Sequence, residues 1–537
     1  YKRQGGIQPL GESEAPRFAD YGAAIRIARG ILERLGITEK ATDVAKLRLQ
    51  QQCRAALPDR ALEWFDAALV LMSDGPAYPA LLGTGGNDGR LDFSNNFMQR
   101  FAELFDCAAG QPNAGAEQYL RGSLLGTAMR GLRSDVPVGQ FNPGGAGGAN
   151  GTSGYDAGSL VNPWDFVFMI EGALLFAASN ARRLGASTSS VLACPFSVHP
   201  VGVGYGSAAQ IDEKSTRSEL WVPLWNAPVG LAELRVLMAE GRAQVGGRRA
   251  ANGVDFARAV ASLGVDRGIS SFQRYAFQER NGQAKLALPL DRYRVTRQPQ
   301  AELLSDLDEG AWLDRFRSRA ADDKTPSSVR RALRCFDESV MALCGRPPSP
   351  ALLQDLLVTL GGLERSLARS LTWTNPSAKD KPRTPPCPPL RPEWISQADD
   401  GSPEFRLAVT LAGLHGEPSL RAHLEPAVYK GSRAQWEDNP SRDVVWHEGD
   451  PIGVMNAILA RRLVLAAGEG KKGGIGYARV PARLGDVVDL IEGRVDPDRV
   501  LDLVWGLMLV DPRDDWPKPQ GHDARPSFTP ALYALVK

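Results

Sequence analysis

The sequence predicts an α+β fold that is predominantly α-helical, with an irregular, loop-rich N-terminal domain carrying small β-hairpin elements and a helical-bundle C-terminal domain. Three observations predict it: apolar residues recurring at threes and fours over many segments, two glycine-dense stretches before residue 160, and one alternating run folded about an Asn-Gly pair. With 537 residues, 43% hydrophobic and 23% charged, the chain lies within the ordinary globular range, which excludes disordered, collagen-like and coiled-coil classes. At about 150 residues per domain it should hold roughly two to four domains. A chain of this size buries about three quarters of its unfolded surface, so its core needs no disulfide or structural metal.

The elements follow in order. Over 17–36, Phe18, Tyr21, Ile25, Ala28, Leu32 and Leu35 share one face of an amphipathic helix that Gly36 stops. Helices are predicted over 42–56 and 59–72, the second started by Pro58 and Asp59. Residues 83–89 hold four glycines in seven positions, a loop, and Ser94 then caps a helix through Ala108. Seven glycines in fifteen residues make 144–158 a long loop. Helices are expected over 163–184, 231–241 and 255–263, and a strand, an Asn281-Gly282 turn and a second strand over 272–290. Beyond Gln298 the pattern is helical over 302–319, 327–343, 350–371, 404–414, 451–467 and 498–509. Seven prolines in seventeen residues make 376–392 an extended linker or surface loop. The division follows: a body over 1–300 and a helical domain over 301–537.

Motifs that carry chemistry are few. The five histidines form no H-E-x-x-H or similar pair, and the six cysteines no C-x-x-C, which reads as reduced thiols in a cytosol. Asp511, Asp514 and Asp515 are the densest acidic group; a two-metal nuclease would gather carboxylates so, but Pro512 and Pro517 make a solvated turn the simpler account. No P-loop, dinucleotide fingerprint or G-x-S-x-G elbow occurs. The most apolar stretch, 161–178, carries Asn162, Asp165 and Glu171 and reads as a buried helix, not a membrane span. The chain is read as non-catalytic, with neither cofactor nor metal.

Charge gives the positive signal. The formal net charge is only +1, yet residues 235–297 hold twelve basic and five acidic side chains, a local +7, and eleven of the twelve are arginine. The planar guanidinium fork matches phosphate and guanine edges, so Arg242, Arg248, Arg249, Arg267, Arg274 and Arg280 become candidate DNA contacts. Phe256, Phe272, Tyr275, Phe277 and Tyr293 are interleaved and could stack on bases, although core packing is the commoner use of such rings, and a solvated basic face is the plain alternative for the arginines. In the first glycine-rich region Asn87, Arg90, Asn95 and Asn96 form a second candidate surface, with turn chemistry and helix capping as the alternative.

At these residues a resemblance emerges. GTGGNDGRLDFSNNFM (83–98), NPWDFVFMIEGALLFA (162–177), SELWVPLWNAPVGLAELRVLMAEGRAQVG (218–246) and DFARAVASLGVDRGISSFQRYAFQERNGQ (255–283) resemble, in that order and across about 200 residues, the large subunit of the type I-G (formerly type I-U) CRISPR surveillance complex, Cascade. The resemblance implies a non-enzymatic component of a guide-RNA complex that samples duplex DNA for the protospacer-adjacent motif, helps open it and supports the displaced strand. Its partners would be guide RNA-loaded backbone subunits, the other Cascade subunits, target duplex and a separate helicase-nuclease, within a prokaryotic cytoplasm and with no membrane. Type I-G systems lack a separate small subunit, and the helical C-terminal part is expected to supply that role. Motif reading is expected from the 87–96 segment or from the 142–154 loop with Asn142 and Asn150. The sequence opens at Tyr1 without a methionine and stops at Lys537 within an apolar periodic run, so both true ends are expected to lie outside it, and the resemblance likewise implies more chain before Tyr1. A scaffold subunit contacting only guide RNA and neighbouring subunits is the second reading.

Overall fold

The computed structural model describes residues 5–72, 75–77, 79, 81, 93–134, 136, 139, 141–142, 160–177, 179–182, 190–201, 203, 219–241, 243–265, 268–280, 284–376, 382–416, 418–431, 433–437, 444–445, 450–468 and 476–521; at 93–94, 179–182, 190–193, 278–280, 284–286 and 468 it describes the backbone alone. The chain divides into two compact units. One comprises Tyr1–Ala243, Arg249–Phe256 and Val265–Val295, the other Gln244–Arg248, Ala257–Gly264 and Thr296–Lys537.

In the first unit, helices α1 (Ala19–Arg34), α2 (Asp43–Ala56) and α3 (Asp59–Ala68) precede α4 (Phe93–Leu104), α5 (Ala116–Leu125), α6 (Pro163–Leu174) and α7 (Leu231–Glu240). Phe97 and Leu104 of α4 pack with Phe166, Val167 and Ile170 of α6, all at most 2% exposed, and this apolar contact fixes the helices. Asn162 starts α6 by accepting a hydrogen bond from the Trp164 N–H (3.0 Å), with Pro163 in the first helical position, where its missing N–H costs nothing. Three predicted helices end early. The one expected from Ser94 through Ala108 spans Phe93–Leu104, so Ser94 lies within it, and Phe105–Asp106 pairs as a strand with Gln111–Pro112. The helix from Asp59 stops at Ala68, because Val70–Met72 pairs instead as a short strand with Gly75–Ala77. That from Pro163 stops at Leu174, and Ser179–Arg182 pairs with Ser190–Ala193.

The predicted hairpin lies in an antiparallel four-stranded sheet with strands β1 (Ser197–Val198), β2 (Glu219–Leu224), β3 (Ser271–Arg280) and β4 (Ala284–Arg294), in spatial order β4-β3-β2-β1. Strand β3 is central, with Arg274 opposite Trp221 of β2 and Phe272 opposite Tyr293 of β4. A bulge between Gln273 and Tyr275 shifts the register with β4. Strand β4 is the edge, which accommodates Pro289 without losing a ladder donor inside the sheet.

Helix α8 (Gly253–Ala261) begins in the first unit and ends in the second. The second unit continues with α9 (Trp312–Ala320), α10 (Ser327–Gly345), α11 (Pro350–Ala368), α12 (Pro403–Ala412), α13 (Pro451–Gly468), α14 (Leu484–Ile491) and α15 (Pro497–Leu507). Ser349, Ser402 and Asp496 cap α11, α12 and α15 through their side-chain oxygens, each followed by proline. Leu353, Leu356, Leu357, Leu360 and Leu363 of α11 are all 0% exposed, making it the axis of the unit. The helix expected over 302–319 breaks at Gly310 and Ala311, both at φ +55°, before α9 starts.

The proline-rich stretch differs from its expectation. Its described part is extended, as its prolines require, but Thr384, Cys387 and Leu390 are at most 2% exposed, inside the second unit and not on its surface. Backbone groups there find partners in neighbouring elements: Trp312 and Trp436 donate ring N–H groups to the carbonyls of Pro385 (2.9 Å) and Thr384 (2.7 Å), and Cys387 N–H donates to Glu364 (2.9 Å). Beside it lies a buried charged cluster in which Arg421 donates to Glu364, to Glu425 (2.6 Å) and to the Tyr429 hydroxyl (3.1 Å). Burial, and then the neighbouring Glu364 charge, push the Glu425 carboxyl well above the usual range. Taken together, the fold is α+β and mostly helical, with small antiparallel sheets. No described helix is long and apolar enough to cross a membrane.

Candidate nucleic-acid interface

The alternation along β3 decides what its arginine can do. Phe272, Arg274 and Ala276 share the inward face and are each 0% exposed. A buried guanidinium must be paired, and Glu219, also 0% exposed, supplies both oxygens: Arg274 Nε donates to Oε1 (2.7 Å) and Nη2 to Oε2 (2.9 Å). Trp221 Nε1 donates to the same Oε1 (2.8 Å), and the Val203 carbonyl accepts from Nη2 (3.0 Å). Arg274 is thus an interior tie between β3 and β2, which corrects its assignment as a DNA contact. The rings nearby serve the same core. Trp221 stacks on Phe256 at 4.4 Å, and Phe256, Phe272 and Tyr293 are at most 1% exposed, leaving no face for a base. Tyr275 is half-buried against Phe141 at 5.4 Å.

Two further expectations are corrected. Asn95 and Asn96, in the first turn of α4, are each 1% exposed and cannot meet a groove. Arg248 and Arg249 follow a tight turn in which Gly246 and Gly247 have φ of +56° and +80°. Arg248 is engaged by Asp314 at 2.7 Å, and Arg249 is exposed and donates to the Cys194 carbonyl at 3.4 Å. Arg258, at 4% exposure, forms a buried pair with Asp308 (2.6 Å). Asn142 is exposed. Asn87, Arg90, Asn150, Arg242 and Arg267 lie outside the described residues, as does the Arg280 side chain.

The described cations left at the surface include two that the sequence count held without nominating them. On edge strand β4, Arg292 and Arg294 are exposed on either side of buried Tyr293. Arg292 Nε donates to the Ser271 hydroxyl (3.1 Å), and Arg294 has no charged partner among the described residues. The signal was present as Asp291-Arg-Tyr-Arg294, a strand alternation with the aromatic inward. Two guanidinium groups spaced i, i+2 on one strand face can meet neighbouring phosphates.

The chain shows no metal-binding group of three or more His, Cys, Asp or Glu among its described residues. Asp511 is buried and paired with Arg513, and its carboxylate accepts the Arg513 N–H (2.9 Å), as a turn does. No family model matches the chain, and no curated protein matches it.

Proposed function

We propose that the chain is the non-catalytic large subunit of a type I-G CRISPR RNA-guided surveillance complex, working in a prokaryotic cytoplasm. In this reading it senses the protospacer-adjacent motif in duplex DNA, promotes R-loop formation, supports the displaced strand and helps recruit the helicase-nuclease. One observation carries it: four segments resemble that subunit in unbroken order, and three of them supply α6, β2, α7 and β3 of the first unit and most of α8. The Glu219–Arg274 pair joins the third segment to the fourth. Exchanging a DNA duplex for an RNA–DNA heteroduplex is nearly balanced, as described for another RNA-guided effector, so a few backbone contacts suffice to tip opening.

The test is R-loop formation on a matched target by the guide-loaded complex, reconstituted with and without this chain and with the DNA motif varied. Motif-dependent opening is expected only when the chain is present. Equal opening and undiminished motif discrimination without it would overturn the reading. A specific observation favours the second reading, a scaffold subunit: Arg248, Arg258 and Arg274 are already paired within the chain. Under that reading, arginine substitutions weaken assembly and leave opening by the assembled complex unchanged.

A further inference from the structure

Helices α1, α2, α3, α4, α6 and α7 of the first unit converge on a cleft of about 960 Å³. Its interior is aromatic: Trp64 lies 4.8 Å from Phe97, and Tyr21 lies 6.3 Å from Phe97. The basic groups at its margin are already engaged. Arg60 pairs with Asp20 at 3.0 Å, Arg235 with Glu63 at 3.6 Å, and Arg17 stands over the Phe105 ring at 5.0 Å. The acceptors are not all engaged. Among the described residues, Glu171, which lines the cleft, has no ion-pair or hydrogen-bond partner, and the buried Oε1 of Gln50 has no donor. The Glu171 side chain is exposed, yet protein packed against it still pushes its carboxyl up by desolvation, and its charge helps push the Tyr21 hydroxyl up after burial.

A cleft with aromatic faces and a carboxylate that has no cationic partner is complementary to a cation. We infer that this cleft receives a basic side chain, arginine or lysine, presented by an apolar segment of a protein partner. The charges commit the occupant: Asp20 and Glu63 are paired with Arg60 and Arg235, which leaves Glu171 as the carboxylate of the described lining without a cationic partner, so a guanidinium or ammonium would pair with it and lie against the rings, whereas a phosphate-bearing strand would bring negative charge against it. Helix α2 adds to this, since it buries no residue of its own and a segment seated in the cleft would cover part of it. The inference goes beyond the surveillance-complex reading and does not depend on it.

The experiment is calorimetric titration of the full chain with synthetic leucine-alanine helical peptides carrying one central arginine, or glutamate in its place, and with a single-stranded oligothymidylate. The arginine peptide is expected to bind at least tenfold more tightly than the glutamate peptide. Glu171→Gln should remove most of that preference and Glu171→Lys should reverse it; circular dichroism confirms that the variants, altered at an exposed position, remain folded. Equal affinity for the two peptides, no binding of either, an unchanged preference in Glu171→Gln, or oligothymidylate competing for the cleft would each overturn the inference.

Discussion

Arg274 and Glu425 show how burial assigns a charged residue its work. Arg274 and Glu219 are both 0% exposed, so removing one partner leaves the other charge without compensation. Arg274→Met is expected to lose about 3–5 kcal/mol in urea denaturation, far more than a surface arginine would. A loss under about 1 kcal/mol would mean that the pair is not formed in solution. Glu425 behaves oppositely. Its folded carboxyl titrates above the unfolded one, so near pH 4 and below both states are protonated and no difference arises. As pH rises past the ordinary glutamate value of about 4.3, the unfolded chain ionises while the folded chain keeps its proton, and stability falls until the folded value is passed. Glu425→Gln mimics the protonated form. It should keep stability within about 1 kcal/mol of the parent at pH 5 and flatten the decline between pH 5 and 8. A steeper decline, or a large loss at pH 5, would mean that the carboxylate is ionised. Arg274 was legible in part: counting twos from Phe272 places it inward, but the count of basic residues treats every arginine alike.

At the scale of elements, the joint between α11 and α15 is made by glycine. A Cβ on Gly506 would lie 2.4 Å from the Leu357 carbonyl oxygen, and one on Gly361 would lie 2.6 Å from Trp505 C, while Gly362 has nothing within 4 Å. Gly506→Ala is expected to cost about 1–3 kcal/mol by forcing the helices apart, whereas Gly362→Ala should stabilise by about 0.5–1 kcal/mol through lower chain entropy. Chemical denaturation of both variants reads the contrast, and equal effects would refute it. The long helices were legible because their caps and prolines are local: Ser349-Pro350, Ser402-Pro403 and Asp496-Pro497 each precede a helix. Strands such as Val70–Met72 were not, because they are three or four residues long and exist only through pairing. The proline-rich stretch was read correctly as extended and wrongly as superficial, since proline content fixes backbone shape and not burial.

For the whole molecule, basic composition overstates the available surface. Of the arginines over 235–297, Arg258 and Arg274 are buried and Arg248 is engaged, while Arg249, Arg292 and Arg294 remain exposed. If Arg292 and Arg294 meet phosphates, replacing both with glutamine should flatten the plot of log affinity against log salt by about two units in filter binding with duplex DNA. An unchanged slope would remove β4 from the interface. The peptide cleft was not legible at all, because six helices bring its residues together from Arg17 to Arg235 and no local spacing marks it.

The interleaving of the two units also sets an order of events during synthesis. Ala257–Gly264 belongs to the second unit, yet it emerges from the ribosome before Val265–Val295, which completes the first. Arg258 must wait for Asp308, 50 residues later, which at about 5–20 residues per second is a delay of roughly 3–10 s. During that interval the second half of α8 is made, but its one charged side chain, Arg258, lacks its acidic partner.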